Sequence, residues 1–119
     1  MSDKIGWLSE PEEHDYPAAL SYLELLFPPE KASEMVERLR SAEVVMFKAK
    51  DIFRASGLSL LGISNSHVER DRRKIVAGKD LSPLLLVRGD RGLIIADGYH
   101  RMCAVYSLDE DALIPCKIV

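Results

Sequence analysis

Apolar residues recur along this chain in two rhythms, helical in the first third and strand-like later. Tyr16, Leu20, Leu23 and Phe27 fall at i, i+4, i+7 and i+11, the spacing of one helix face. Asp15 is placed to cap that helix, and Pro17 suits its first turn. Pro28-Pro29 breaks the pattern, and Pro29 opens a second helix carrying Ala32, Met35, Val36 and Leu39 on one side. The two read as a helical hairpin over 15–41 that lays its apolar face on the rest of the chain. Residues 1–14 are polar and acidic apart from Ile5, Trp7 and Leu8. They read as loosely ordered, with Trp7 tucked against the body.

From Val44 the runs shorten. Val44-Val45-Met46-Phe47 reads as a strand, followed by a short helix from Ala49 that Gly57 stops. Leu58 to Asn65 is apolar but interrupted by Gly62, and reads as a loop reaching into the core. Ser66 to Ala77 is a helix, with Ser66 and Glu69 spaced as a capping box and Gly78 as its stop. Val68, Ile75 and Val76 supply its apolar positions. Leu81-Ser82-Pro83 leads into two aliphatic runs, Leu84 to Val87 and Leu93 to Ala96, joined by Arg88-Gly89-Asp90-Arg91-Gly92. That pattern predicts a β-hairpin. Past Gly98 a helix follows, with Ala104, Val105 and Leu108 beside the stem of Arg101, and Ile114 to Val119 closes as a strand. The expectation is a single α/β domain over 1–119: a small mixed sheet from 44–48, 83–88, 93–96 and 114–118 with surrounding helices. The core spans 44–119, and the helical hairpin is added in front.

Composition adds little to this except in where the charge lies. The chain has 119 residues, enough for one core, and 47 % of them are hydrophobic, ordinary for a globular domain. No apolar run is long enough to span a membrane, and the first residues lack the apolar core of a secretion signal, so the expected location is cytoplasmic. Cys103 and Cys116 read as reduced, buried thiols. Residues 1–46 carry four Lys/Arg against ten Asp/Glu, whereas residues 47–101 carry eleven against six. A basic middle beside an acidic start suits a local anion site better than a broad nucleic-acid surface, although solvated surface accounts for it equally well.

The candidate chemistry sits at Asp97-Gly98-Tyr99-His100-Arg101. Gly98 lies where a buried strand hands over to a helix, a junction rich in free N–H groups at the positive end of a helix dipole. His100 and Arg101 in the first turn make this a candidate phosphate site. The plainer alternative is that Arg101 forms an internal ion pair and His100 caps the helix. Asp97 is open to three readings: orienting a hydroxyl, holding a metal, or bonding the turn's own backbone.

Strand, hairpin turn, strand, Asp97-Gly98-Tyr99-His100-Arg101-Met102-Cys103-Ala104, helix and closing strand together resemble the ParB/sulfiredoxin superfamily. The likeness runs over about residues 44–119. The segment is nearest the D-G-H-H-R-x-x-A pattern of the free-serine kinase branch. The resemblance implies that Gly98, Tyr99, His100 and Arg101 bind a nucleotide or another phosphate. It further implies that Asn65 and His67 help shape the site, and that Asp97 and His100 do the chemistry. An aspartate facing a phosphate calls for Mg²⁺ between them, so ATP or another nucleotide with Mg²⁺ held through Asp97 is the implied cofactor. Tyr99 stands where sulfiredoxins carry their catalytic cysteine and cannot replace a thiolate, so sulfiredoxin activity is not expected.

The expected function is therefore a nucleotide- or phosphate-binding domain, extending to Mg²⁺-dependent phosphotransfer or nucleotide hydrolysis. Two alternatives stand beside it. One is a non-catalytic regulatory or protein-interaction module. The other is a nucleic-acid-associated ParB-like protein, disfavoured by the acidic balance and by the lack of a helix-turn-helix segment before Val119. A phosphorylated small molecule is the expected partner, no membrane is, and a homodimer is left open. The nucleotide, the acceptor and the pathway are not legible.

Overall fold

The structure, a computed structural model, describes residues 5–62 and 64–119. Helices α1 (Asp15–Leu23) and α2 (Pro29–Ser41) come first. Strand β1 (Val45–Lys48), α3 (Ala49–Ser56) and α4 (Ser66–Val76) follow. Strands β2 (Leu84–Gly89) and β3 (Gly92–Asp97), helix α5 (Tyr99–Leu108) and strand β4 (Leu113–Ile118) complete the order. The sheet runs β1-β4-β2-β3. β4 lies antiparallel to β1 and parallel to β2, and β2 and β3 form the antiparallel hairpin. The α/β class and the small mixed sheet follow the sequence pattern, with strand ends displaced by at most one residue.

Strand periodicity explains the layering. Successive side chains point to opposite faces. Leu84 and Leu86 of β2 therefore join Ile95, Ile114 and Cys116 in a core under α3, α4 and α5. Leu85 and Val87 point the other way and meet Ala96, with Tyr16, Ala19 and Leu23 of α1 and Ala32, Val36 and Leu39 of α2. Both faces of β2 are covered, so its sequence is a continuous apolar run rather than an alternation. The two N-terminal helices bury on the sheet the faces their spacing predicted.

Several local expectations need correction. Asp15 does not cap α1: it is the first helical residue, 3 % exposed, and accepts a hydrogen bond from the Ser82 hydroxyl. From Ile5 onward the N-terminal segment is tied down rather than loose. Trp7 bridges Leu81, the Leu8 N–H donates to the Leu81 carbonyl (2.8 Å), and the Leu81 N–H donates to the Gly6 carbonyl (3.0 Å). Residues 1–4 lie outside the described residues. Of the loop over 58–65, Leu61 packs on the core, Leu58 and Leu60 are exposed, and Ile63 lies outside the described residues. Val76 is also exposed, because a third apolar position there falls off the Val68–Ile75 stripe.

The capping box is replaced by a different cap. Asn65 Oδ1 accepts from the N–H groups of His67 (3.0 Å) and Val68 (3.3 Å), while Glu69 turns outward to Arg72 (2.9 Å) and Arg73 (3.1 Å). The outward ion pairs take the carboxylate that the box assigned to the backbone, and asparagine one residue earlier is as good a cap as serine. Asn65→Ala is expected to cost about 1 kcal/mol. Ser66→Ala is expected to change stability by less than about 0.5 kcal/mol. Urea unfolding of the two variants checks the assignment, and the reverse order of effects refutes it. Among the described residues, no helix is long and apolar enough to cross a membrane.

Candidate functional site

The β2–β3 hairpin delivers Asp97 to the start of α5. The pairing slips between Leu85 and Leu86: Leu85 faces Asp97 and Leu86 faces Ile95, leaving Ala96 as an extra residue. Such a bulge bends the strand and re-aims the side chains at its end. Gly98 then turns the chain into the helix with φ at +108°, a conformation other residues rarely adopt. A Cβ there would lie 2.7 Å from Leu84 Cγ and 2.9 Å from an Arg101 guanidinium nitrogen. The glycine is therefore what lets the arginine fold back under the turn. The first N–H groups of a helix have no intrahelical acceptor, and among the described residues no side chain caps those of α5.

Around this turn lies a polar cleft of about 290 Å³. Its walls are Gly98 to Arg101 on one side and Arg70, Asp71 and Lys74 of α4 on another, with Glu12, His14 and Asp15 closing the third. The last group was not foreseen, since the N-terminal third carries no recognisable motif. The bridge between Trp7 and Leu81, with a hydrogen bond from the Glu12 N–H to the Ser82 hydroxyl (3.0 Å), brings it there. A larger cleft of about 400 Å³ is lined mainly by Phe47, Ile52, Leu86, Leu93 and Ile118. It holds no cluster of titratable groups, so the chemistry is assigned to the smaller one.

Arg101 is the hub. One guanidinium nitrogen donates to Asp97 Oδ2 at 3.0 Å and to the Pro83 carbonyl at 3.3 Å, and stands 3.8 Å from Asp15 Oδ2. Its Nε is buried with no hydrogen-bond partner among the described residues. The internal ion pair weighed for Arg101 is thus present, yet it leaves part of the donor fork unused. Asp97 is largely buried, and burial raises its carboxyl pKa although Arg101 pulls the other way.

The guanidinium also bears on metal binding. It occupies the space between Asp15 and Asp97 where a divalent cation would have to sit. Among the described residues no group of three His, Cys, Asp or Glu side chains is arranged to hold an ion. The residues present do not fit a protein-held Mg²⁺ at Asp97, and no step is derived through one.

His100 lines the cleft with its ring centroid 4.9 Å from that of His67. Burial first, and His67 second, lower the His100 pKa from its ordinary value, which favours neutral imidazole at pH 7. Tyr99 also lines the cleft, but its hydroxyl donates to the Ser59 carbonyl and so anchors the 57–62 loop. Asn65 and His67 are not cleft residues: Asn65 is used as the α4 cap, and His67 stands behind His100. Within the basic stretch of α4, Arg72 and Arg73 are satisfied by Glu69, whereas Arg70 and Lys74 make no ion pair among the described residues and face the cleft. Cys103 and Cys116 are buried and free, and burial pushes the Cys116 thiol up to about 12, so it is not a nucleophile at neutral pH.

Compared with family models, curated proteins and solved structures, the chain matches none.

Proposed function

We propose that this is a ParB/sulfiredoxin-like domain whose cleft binds a phosphate-bearing small molecule, a nucleotide such as ATP among them. The observation that carries the reading is the start of α5, uncapped by any side chain among the described residues, with the Arg101 guanidinium folded under it and its Nε unpartnered among those residues. Free helix N–H groups and a guanidinium fork are complementary to phosphate oxygens. Arg70 and Lys74 on the facing helix, without an ion pair among the described residues, supply the remaining positive charge. A cleft of about 290 Å³ takes the phosphate end of a ligand, not a whole nucleotide, whose base would lie outside. If the bound phosphate is transferred or hydrolysed, the attacking hydroxyl or water passes its proton to neutral His100, the bond from phosphorus to the ligand's bridging oxygen breaks, and that oxygen leaves with the rest of the ligand, protonated by His100 or by solvent where it needs a proton. Asp97, held by Arg101, positions that arginine.

Melting in the presence of phosphate, sulfate and ATP tests this. A ligand at a hundred times its dissociation constant stabilises by about 2.7 kcal/mol. For a chain of this size that is a rise of roughly 5–10 °C. Arg70→Gln with Lys74→Gln, both exposed, is expected to leave the ligand-free melt within about 2 °C of wild type, since surface changes cost little. The same double variant is expected to lose most of the rise. No rise in the wild type with any of the three anions at millimolar concentration refutes the reading.

The interaction-module alternative also has an observation in its favour. Edge strand β1 exposes Val45, Met46 and Phe47, and one of its sides is unpaired among the described residues. An open edge can accept another strand, though β1 is only four residues long.

A further inference from the structure

We infer that Asp71 recognises the hydroxyl groups of a phosphorylated sugar, so that the ligand of the cleft is a pentose phosphate or the ribose phosphate part of a nucleotide. The inference rests on the phosphate reading above and narrows it.

Asp71 is an anomaly in its helix. The residues α4 buries are Val68, Asp71 and Ile75, at i, i+3 and i+7, so an acid occupies the middle of an apolar stripe. It is 6 % exposed, and what remains open lines the cleft. No hydrogen bond or ion pair engages its carboxylate among the described residues. Across the cleft it acts through space on His100, whose protonated form it favours. Arg101 Nε is the only fully buried side-chain nitrogen or oxygen without a partner among the described residues, so the Asp71 oxygens keep surface open to the cleft, where a ligand hydroxyl can reach them. Every other acid in the cleft whose surroundings are comparably closed has a partner: Asp15 has Ser82, and Asp97 has Arg101.

The missing partner is a donor, and its neighbours indicate which kind. Arg70 precedes Asp71 and Lys74 lies about one helical turn beyond, both without an ion pair among the described residues and both cleft residues. Two cations flanking the acid disfavour an ammonium group and tolerate a neutral hydroxyl. A carboxylate taking adjacent sugar hydroxyls, with the phosphate on a helix N-terminus, is an arrangement proteins use for ribose phosphates. Here the two ends of that arrangement face each other across one cleft, Asp71 on α4 and the uncapped turn at Gly98 on α5.

Calorimetric titration of the full chain with ribose 5-phosphate, 2-deoxyribose 5-phosphate, phosphoethanolamine and inorganic phosphate tests the assignment. A hydrogen bond to a charged group corresponds to roughly a tenfold to hundredfold difference in affinity. Wild type is therefore expected to bind ribose 5-phosphate at least about tenfold tighter than inorganic phosphate, with the 2-deoxy sugar between them. Asp71→Asn and Asp71→Ser, each checked for folding by circular dichroism, are expected to bind ribose 5-phosphate no tighter than phosphate. Equal wild-type affinity for ribose 5-phosphate and phosphate, or a preference for phosphoethanolamine, overturns the inference and leaves the phosphate site standing. So does a folded variant that keeps the sugar preference. If no phosphate compound binds, both readings fall. The wild-type series alone decides should the variants not fold.

Discussion

Gly98→Ala is expected to lower the melting temperature by roughly 10–15 °C and to abolish anion binding in the same variant. Two costs add. A non-glycine residue at φ +108° carries strain of about 1–3 kcal/mol. The new Cβ would also sit 2.7 Å from Leu84 Cγ, and Leu84 is fully buried in the centre of the sheet with nowhere to move. Overpacking of that kind costs about 1–3 kcal/mol. The total of about 4 kcal/mol corresponds to the stated fall in a chain of this length. Binding goes because the same Cβ pushes on the Arg101 guanidinium and turns the first N–H groups of α5. Differential scanning calorimetry with and without phosphate reads both effects. A Gly98→Ala protein that melts within about 3 °C of wild type shows that the turn relaxes freely and that the glycine does not define the site.

The second large effect is at Arg101. Arg101→Met is expected to destabilise by about 3 kcal/mol, because it strands Asp97 and Asp15, two largely buried carboxyl groups that now share one guanidinium. Removing one partner of a buried pair costs more than removing both. Arg101→Met with Asp97→Asn is therefore expected to be more stable than Arg101→Met alone by at least about 1 kcal/mol. Phosphate should stabilise neither variant, since the donor fork is gone from both. A double-mutant cycle by urea unfolding measures the coupling. If the two substitutions simply add, the contact between Arg101 and Asp97 is incidental, and Arg101 is free to serve the ligand alone.

The readable parts of this protein are those whose cause is local. The apolar faces of α1 and α2, the glycine after α3, the hairpin with its Gly-Asp-Arg-Gly turn and the strand-to-helix junction at Gly98 all follow from spacing and backbone preference within a few residues. The candidate turn at Asp97 to Arg101 was legible for the same reason. The finer choices were not. Whether Asn65 or Ser66 caps α4 depends on where Glu69 finds its partners, and two arginines on its own helix outcompete the backbone.

The cleft itself was decided by tertiary structure. Glu12, His14 and Asp15 look like surface acid and turn residues in the sequence, and only pairing of the Trp7 segment with Leu81 carries them to the start of α5. Nor does the sequence show that one guanidinium takes the place of a cation between Asp15 and Asp97, because those residues lie 82 positions apart. Asp71 is the intermediate case. Its spacing from Val68 and Ile75 puts it on the buried stripe, a signal present in the sequence but masked by the charged residues around it. Helical periodicity determined that Asp71 faces inward. Only the packing of α4 against α5 decided that it faces a polar cleft instead of a core, because a local pattern fixes a side chain's direction while its surroundings come from segments far away in the chain.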